Sequence, residues 1–319
     1  MKHFFVLVCL GLFITCCSKR SGDKGPAPFV YPDIESIDEF GTEAKAFQDQ
    51  LISKHLEGGY VVSRLPDGTP EHWGDSLLFS GLALAVLSCE KGEPILSAIL
   101  NSIEKRGGQL VRFEPTPKTR SFGITSRDME TGAMFGLVSR AKRCPKDFDR
   151  IAAGWRRHDA FVKANGYFLE DSPEDLLTPG MMFIFELVSQ HFLGAPEPKG
   201  FAVFNTAIYV TTLSTVVLRK ACYPLHLEVL ELWLAKALGK EAKAETMHAF
   251  CRYTDGADVP LIDWLCSRKD ASLFFKNFKK NEWHYRHQRC GVWEKPDGGE
   301  SDNPSLDFLL LQHFTTHGF

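Results

Sequence analysis

The chain has 319 residues, 44% of them hydrophobic, with 37 basic and 40 acidic side chains and a formal net charge of −3. That apolar share supports a sizeable core and excludes global disorder, and the length suits one large domain or two small ones. Opposite charges are interspersed, with no basic tract of the kind that follows a phosphate backbone, so no nucleic-acid partner is expected.

The first residues read as an export signal rather than as fold. Lys2 and His3 precede an apolar run over residues 4–15, too short for a permanent span but suited to the core of a signal peptide. Ile14-Thr15-Cys16-Cys17 resembles a bacterial lipobox, which implies a signal peptide over 1–17 and a lipid anchor on Cys17. Cys16 is the other reading, and an ordinary cleaved signal peptide is the plainer one. In a Gram-negative cell, Ser18 after the anchor resembles an outer-membrane sorting signal. Residues 18–31, rich in Ser, Gly, Lys and Pro, are expected to be a flexible tether, and 32–319 a single domain.

Residues 43–56 carry helical periodicity and stop at Gly58-Gly59. A short extended piece over 60–64 leads to the turn Pro66-Asp67-Gly68. Next comes His72-Trp73-Gly74-Asp75-Ser76, at the mouth of a helix that is apolar almost all round and ends near Cys89. Residues 94–106 are amphipathic, and 109–113 read as extended. A loop with Pro115, Pro117 and Gly123 then reaches Ser126-Arg127-Asp128, a second acid-headed apolar helix about 53 residues after the first. Helices are expected over 145–164 and from Thr178-Pro179 to Gly194, with threonine as N-cap and proline at the first helical position.

Residues 201–218 are nearly uncharged and reach membrane-spanning length. They hold Asn205, Thr206, Tyr209, Thr211, Thr212, Ser214 and Thr215, so a fully buried helix is the expectation. Further helices are expected over 225–238, 241–253, 259–266, 271–280 and 305–314. A loop dense in aromatic and charged residues occupies 282–289. Twelve helices with almost no strand, polar ones alternating with apolar ones, are what two concentric layers require. Gly81, Gly132 and Gly136 lie inside inner helices at a cost of about 1 kcal/mol each relative to alanine, which predicts close helix approach.

Gly74-Asp75-Ser76 and Ser126-Arg127-Asp128, heading inner helices among six alternating hairpins, resemble the six-hairpin (α/α) toroid group of glycosidases, unsaturated-uronyl hydrolases and polysaccharide lyases. No single family within it is matched. The resemblance implies an all-α (α/α)6 toroid that binds a poly- or oligosaccharide where the inner helices begin. That end would carry Asp75, Asp128, Glu130 and Asp302, with His72, Trp73, Arg127, Trp283, His284, Tyr285 and Arg286 nearby. Glycoside hydrolysis needs two carboxyl groups, and Asp75 and Asp128 are the expected pair. Arg127 would hold a substrate carboxylate, and Trp73, Trp283 and Tyr285 would stack on sugar rings.

Each residue also has a plainer reading. Acids at helix starts are favoured as caps, and Thr125-x-x-Asp128 has the form of an acidic capping box. A lyase would instead use the 283–289 loop, with Tyr285 and His284 or His287 exchanging protons while Arg286 or Arg289 neutralises a uronate. A third reading is an envelope lipoprotein that only binds glycan or protein. His284 and His287 lack a supporting acid pattern, so no metal is expected, and no cofactor motif is present. His226, within an apolar helix, reads as a core histidine. Six cysteines follow the leader: Cys89, Cys144, Cys222, Cys251, Cys266 and Cys290. They permit up to three disulfides in an oxidising compartment. Cys89 and Cys144 each close an acid-headed helix, so that pairing is the one expected.

Overall fold

The computed structural model describes residues 27–30, 41–64, 67–70, 75–113, 125–169, 176–217, 223–255, 260–267, 306–317 and 319. Among them the fold is all-α, and the only sheet is a two-residue hairpin. Helix α1 (Gly41–Gln50) runs into a π-helical turn, Leu51–His55. The hairpin strands β1 (Leu56–Glu57) and β2 (Tyr60–Val61) pair antiparallel across Gly58 and Gly59, both at positive φ. The extended stretch expected at residues 60–64 is thus half hairpin, and no described strand forms over 109–113.

Three helices then set the centre. Every residue of α2 (Ser76–Val86) is buried. Amphipathic α3 (Glu93–Lys105) returns the chain, and α4 (Arg127–Arg143) is buried without interruption from Met129 to Ala141. Helices α2 and α4 run parallel in register. A Cβ built on Gly132 would lie 2.6 Å from the Leu78 Cα, and one on Gly136 would lie 2.4 Å from the Gly81 carbonyl oxygen. Nothing larger than hydrogen fits at those crossings. The Cys89–Cys144 disulfide joins the far ends of the same two helices, with Cα atoms 5.9 Å apart.

After a 3-10 turn (Pro145–Asp147), α5 (Phe148–Ala164) rises antiparallel to α4 and α6 (Pro179–Leu193) descends. Thr178 caps α6 through its hydroxyl, which accepts from the Met181 amide, and Gly194 closes it in the left-handed conformation. Helices α7 (Phe201–Val217), α8 (Tyr223–Ala237), α9 (Ala244–Tyr253), α10 (Pro260–Leu265) and α11 (Leu306–His317) complete the described set. A second disulfide, Cys251–Cys266, ties α9 to the end of α10. Cys222 and Cys290 lie outside the described residues.

Helix α7 departs from expectation. It is not buried all round, since Val203 is 48% and Val210 42% exposed on one face. Several of its polar side chains return to their own helix: Asn205 donates to the Phe201 carbonyl, Thr206 to Ala202 and Thr212 to Ile208, while the Asn205 side-chain carbonyl accepts from Lys243 N and Thr246 Oγ1 of the neighbouring segment. A helix that returns its own hydroxyls to its backbone can be poor in charge without being interior. Among the described residues no helix is long and apolar enough to cross a membrane.

Contacts run from α2 to α4, from α4 to α6 and α8, and from α6 to α8. Helix α11 packs back onto α1 and α2, and α10 onto α11. An aromatic layer fills the middle: Phe135 of α4 lies 4.8 Å from Trp233 of α8 and 6.1 Å from Phe314 of α11, centroid to centroid. Phe314 also stacks on Trp264 of α10. The expected helix at 271–280, the 282–289 loop, the leader and the tether up to residue 26 lie outside the described residues.

Candidate functional site

The parallel register of α2 and α4 brings their first turns to one end of the molecule. Asp75 occupies the N-cap position of α2, but its side chain makes no capping hydrogen bond. The N-cap of α4 is Ser126, one residue later than a Thr125–Asp128 capping box requires. That box does not form. Thr125 is buried and its hydroxyl has no hydrogen-bond partner, while the Ser126 hydroxyl donates to the Asp128 carboxylate. Arg112 Nη2 donates to Ser126 Oγ at 3.0 Å, so a cation is relayed to Asp128 through the serine. Arg127 is exposed at the helix start.

Glu130, expected to face substrate, is fully buried. Its Oε1 lies 2.9 Å from His158 Nε2 on α5, and its Oε2 has no hydrogen-bond partner. The other imidazole nitrogen, Nδ1, lies 2.8 Å from the Gly108 carbonyl and therefore donates to it. Burial disfavours the imidazolium, but the Glu130 carboxylate and the Gly108 carbonyl outweigh it, so His158 titrates above its ordinary value. The result is a buried ion pair with one carboxylate oxygen left open.

A second carboxyl pair went unnoticed in the sequence. Glu228 and Glu231 are both buried on α8, within a Leu225–Leu234 stretch that is apolar apart from them and His226. Glu228 Oε2 lies 2.8 Å from Thr212 Oγ1, whose own proton goes to the Ile208 carbonyl, and Oε1 has no partner. Burial holds the Glu228 carboxyl well above the usual range, and its neighbour Glu231 adds to this. Burial alone pushes Glu231 up to about 8. Helices α4 and α8 run parallel, since Phe135 meets Trp233 and Lys142 reaches the Ala237 carbonyl. Glu130 and Glu228 each precede their aromatic partner by five residues, roughly 7 Å along the axis. Both carboxyls therefore stand on the Asp75–Asp128 side of the aromatic layer. The available signal was two acids three residues apart in an apolar run, which is costly unless the acids stay neutral.

Tyr167 follows α5 on the same side. It holds φ +67, an outlier for a bulky residue, and its hydroxyl donates to Glu186. Burial and that carboxylate push its phenol up to about 12. Lys163 closes the cluster with ion pairs to Glu186 and Asp159.

His72, Trp73, Trp283, His284, Tyr285, Arg286, Asp302 and Cys17 lie outside the described residues. His226 is buried, as a core histidine should be. Among the described residues no three His, Cys, Asp or Glu side chains group as metal ligands. Compared with known proteins, the chain significantly matches no family model, no curated protein and no solved structure.

Proposed function

We propose that this chain is an exported carbohydrate-active enzyme on an (α/α) toroid, hydrolysing glycosidic bonds of a poly- or oligosaccharide with Asp75 and Asp128 as its carboxyl pair. The observation that carries the reading is the locked parallel contact of α2 and α4, which sets both acids at one end of the molecule, neither of them as a formed cap. Bond cleavage needs one carboxyl to protonate the leaving oxygen and one to activate water or attack carbon. In this scheme Asp128, reached by the Arg112–Ser126 relay, activates water or attacks carbon, and Asp75 protonates the leaving oxygen. Exposed Arg127 offers a fork for a sugar carboxylate.

Support for the toroid is the succession of inner contacts from α2 through α4, α6 and α8, with α11 returning to α2. Support for export is the pair of disulfides, which persist in oxidising compartments. Attachment to the outer membrane through a lipid on Cys17 belongs to the same proposal, with no other membrane contact.

The test is release of reducing ends from a panel of neutral and uronate-bearing polysaccharides by the purified mature protein. Asp75→Asn and Asp128→Asn should each lower the rate at least 10³-fold, on the order expected for loss of an essential carboxyl. Product absorbing near 235 nm would instead assign a lyase. No turnover on any polysaccharide, or full activity in either variant, would sink the hydrolase mechanism.

A further inference from the structure

The last turns of α4, α8 and α11 surround a cavity of about 450 Å³ at the opposite end from Asp75 and Asp128. Its wall includes Lys142, Arg143, Lys236, His313, His317, the ring of Trp233 and the terminal Phe319, and no lining side chain is acidic, the Phe319 α-carboxylate being the one negative group among the lining residues. Cations in a last turn are favoured by the helix dipole, and two of these do cap carbonyls. Lys142 Nζ donates to Ala237 at 2.6 Å, and Arg143 Nη2 donates to Leu84 at 2.6 Å and Leu87 at 2.7 Å. A neutral carbonyl satisfies a donor without cancelling its charge. Neither Lys142 nor Arg143 has an ion-pair partner among the described residues, whereas Arg140, one turn earlier, pairs with Asp147.

Arg143 is the decisive group. Its Nε is buried and has no hydrogen-bond partner, so the guanidinium that lines the cavity is incompletely satisfied by the protein. Burial and the nearby Arg140 both work against its positive charge. His313, beside it, is pushed down to about 3 by burial, His317 and Arg143, and therefore adds no charge of its own at neutral pH. A half-buried cation without an ion-pair partner costs free energy that an anion would offset. The volume falls in the range of small-molecule pockets.

We propose that this cavity binds a small oxyanion-bearing molecule, a phosphate or carboxylate, held by Lys142, Arg143, Lys236 and His317 against the Trp233 ring. The site is separate from the carboxyl end and stands whether or not that end cleaves glycans.

The experiment is calorimetric titration of the full mature protein with inorganic phosphate and then with citrate, at constant ionic strength made up with chloride. Saturable binding of either anion is expected, weakened at least tenfold in Lys142→Gln/Lys236→Gln, whose helix content is checked by circular dichroism. Arg143→Gln is a second variant, expected to weaken binding as strongly; should loss of its carbonyl contacts unfold it, the lysine double variant decides alone. No saturable heat with either anion overturns the proposal, and so does equal affinity in the double variant. Co-sedimentation with phosphatidylglycerol vesicles but not phosphatidylcholine vesicles, without binding of the free anions, also overturns it in favour of a membrane surface.

Discussion

Gly81 and Gly132 meet backbone to backbone: a Cβ added to Gly81 would lie 1.9 Å from the Gly132 carbonyl oxygen. That contact fixes the parallel register of α2 and α4, and with it the placement of Asp75 beside the first turn of α4. Gly81→Ala must push two buried helices apart, which should cost about 3 kcal/mol or more. Gly41→Ala has nothing within 4 Å to meet and should leave stability within about 1 kcal/mol of the starting protein. Urea denaturation of the two variants checks both; equal midpoints would mean that the helices are not locked at this crossing.

This crossing was legible in the sequence because glycine in the middle of an apolar helix has a local cost that only a partner surface explains. The same holds for Cys89 and Cys144, which close helices of the same class. What escaped was pairing between distant elements. Nothing near His158 announces that it meets Glu130, 28 residues earlier, because a buried ion pair leaves no periodic trace. The capping box failed for a related reason: Ser126 competes for the N-cap position one residue after Thr125, and backbone geometry chose it. Helix α7 was read as interior from its lack of charge, and intrahelical hydroxyl bonds remove that inference.

The His158–Glu130 pair should be intolerant of losing one partner. His158→Phe leaves a carboxylate at 0% exposure with no counter-charge and should destabilise by about 3–5 kcal/mol. Adding Glu130→Leu should recover part of that loss, since an apolar pair removes the unpaired charge. Because the folded state raises the His158 pKa, its contribution is complete below about pH 6.5 and fades as pH rises through the folded value. Thermal melts of the wild type and the double variant at pH 6 and 9 check this, the gap between them shifting toward the double variant at pH 9.

The two described disulfides close loops of different size, 55 residues for Cys89–Cys144 and 15 for Cys251–Cys266. Chain entropy gives about 4 kcal/mol for the longer loop and about 3 for the shorter. Cys89→Ser/Cys144→Ser should therefore lower stability more than Cys251→Ser/Cys266→Ser. The longer link also joins the lower ends of α2 and α4, so its loss should add to that of Gly81→Ala by less than the sum of the two. A double-mutant cycle by urea titration checks the coupling; strict additivity would show that the glycine contact and the disulfide act on separate parts of the fold.

Glu231 carries a proton in the folded protein at a pH where the unfolded chain has lost it. With a folded pKa of about 8 against an ordinary value of 4.5, the native state binds more protons throughout that window, so its stability falls as pH rises from 4.5 to 8. Glu231→Gln keeps the shape and removes the titration. The variant should match the wild type near pH 4.5 and exceed it by about 2–4 kcal/mol at pH 8. Glu228, raised by its own burial and by Glu231, should titrate at lower pH once Glu231 is glutamine, because one like charge has gone. Chemical denaturation of both proteins across pH 4.5–8.5 reads the first effect. Infrared bands of the protonated carboxyl, followed in the same pH series, read the second. Parallel stability curves for the two proteins would mean that Glu231 is ionised in the native state, and the neutral-carboxyl reading of α8 would fall.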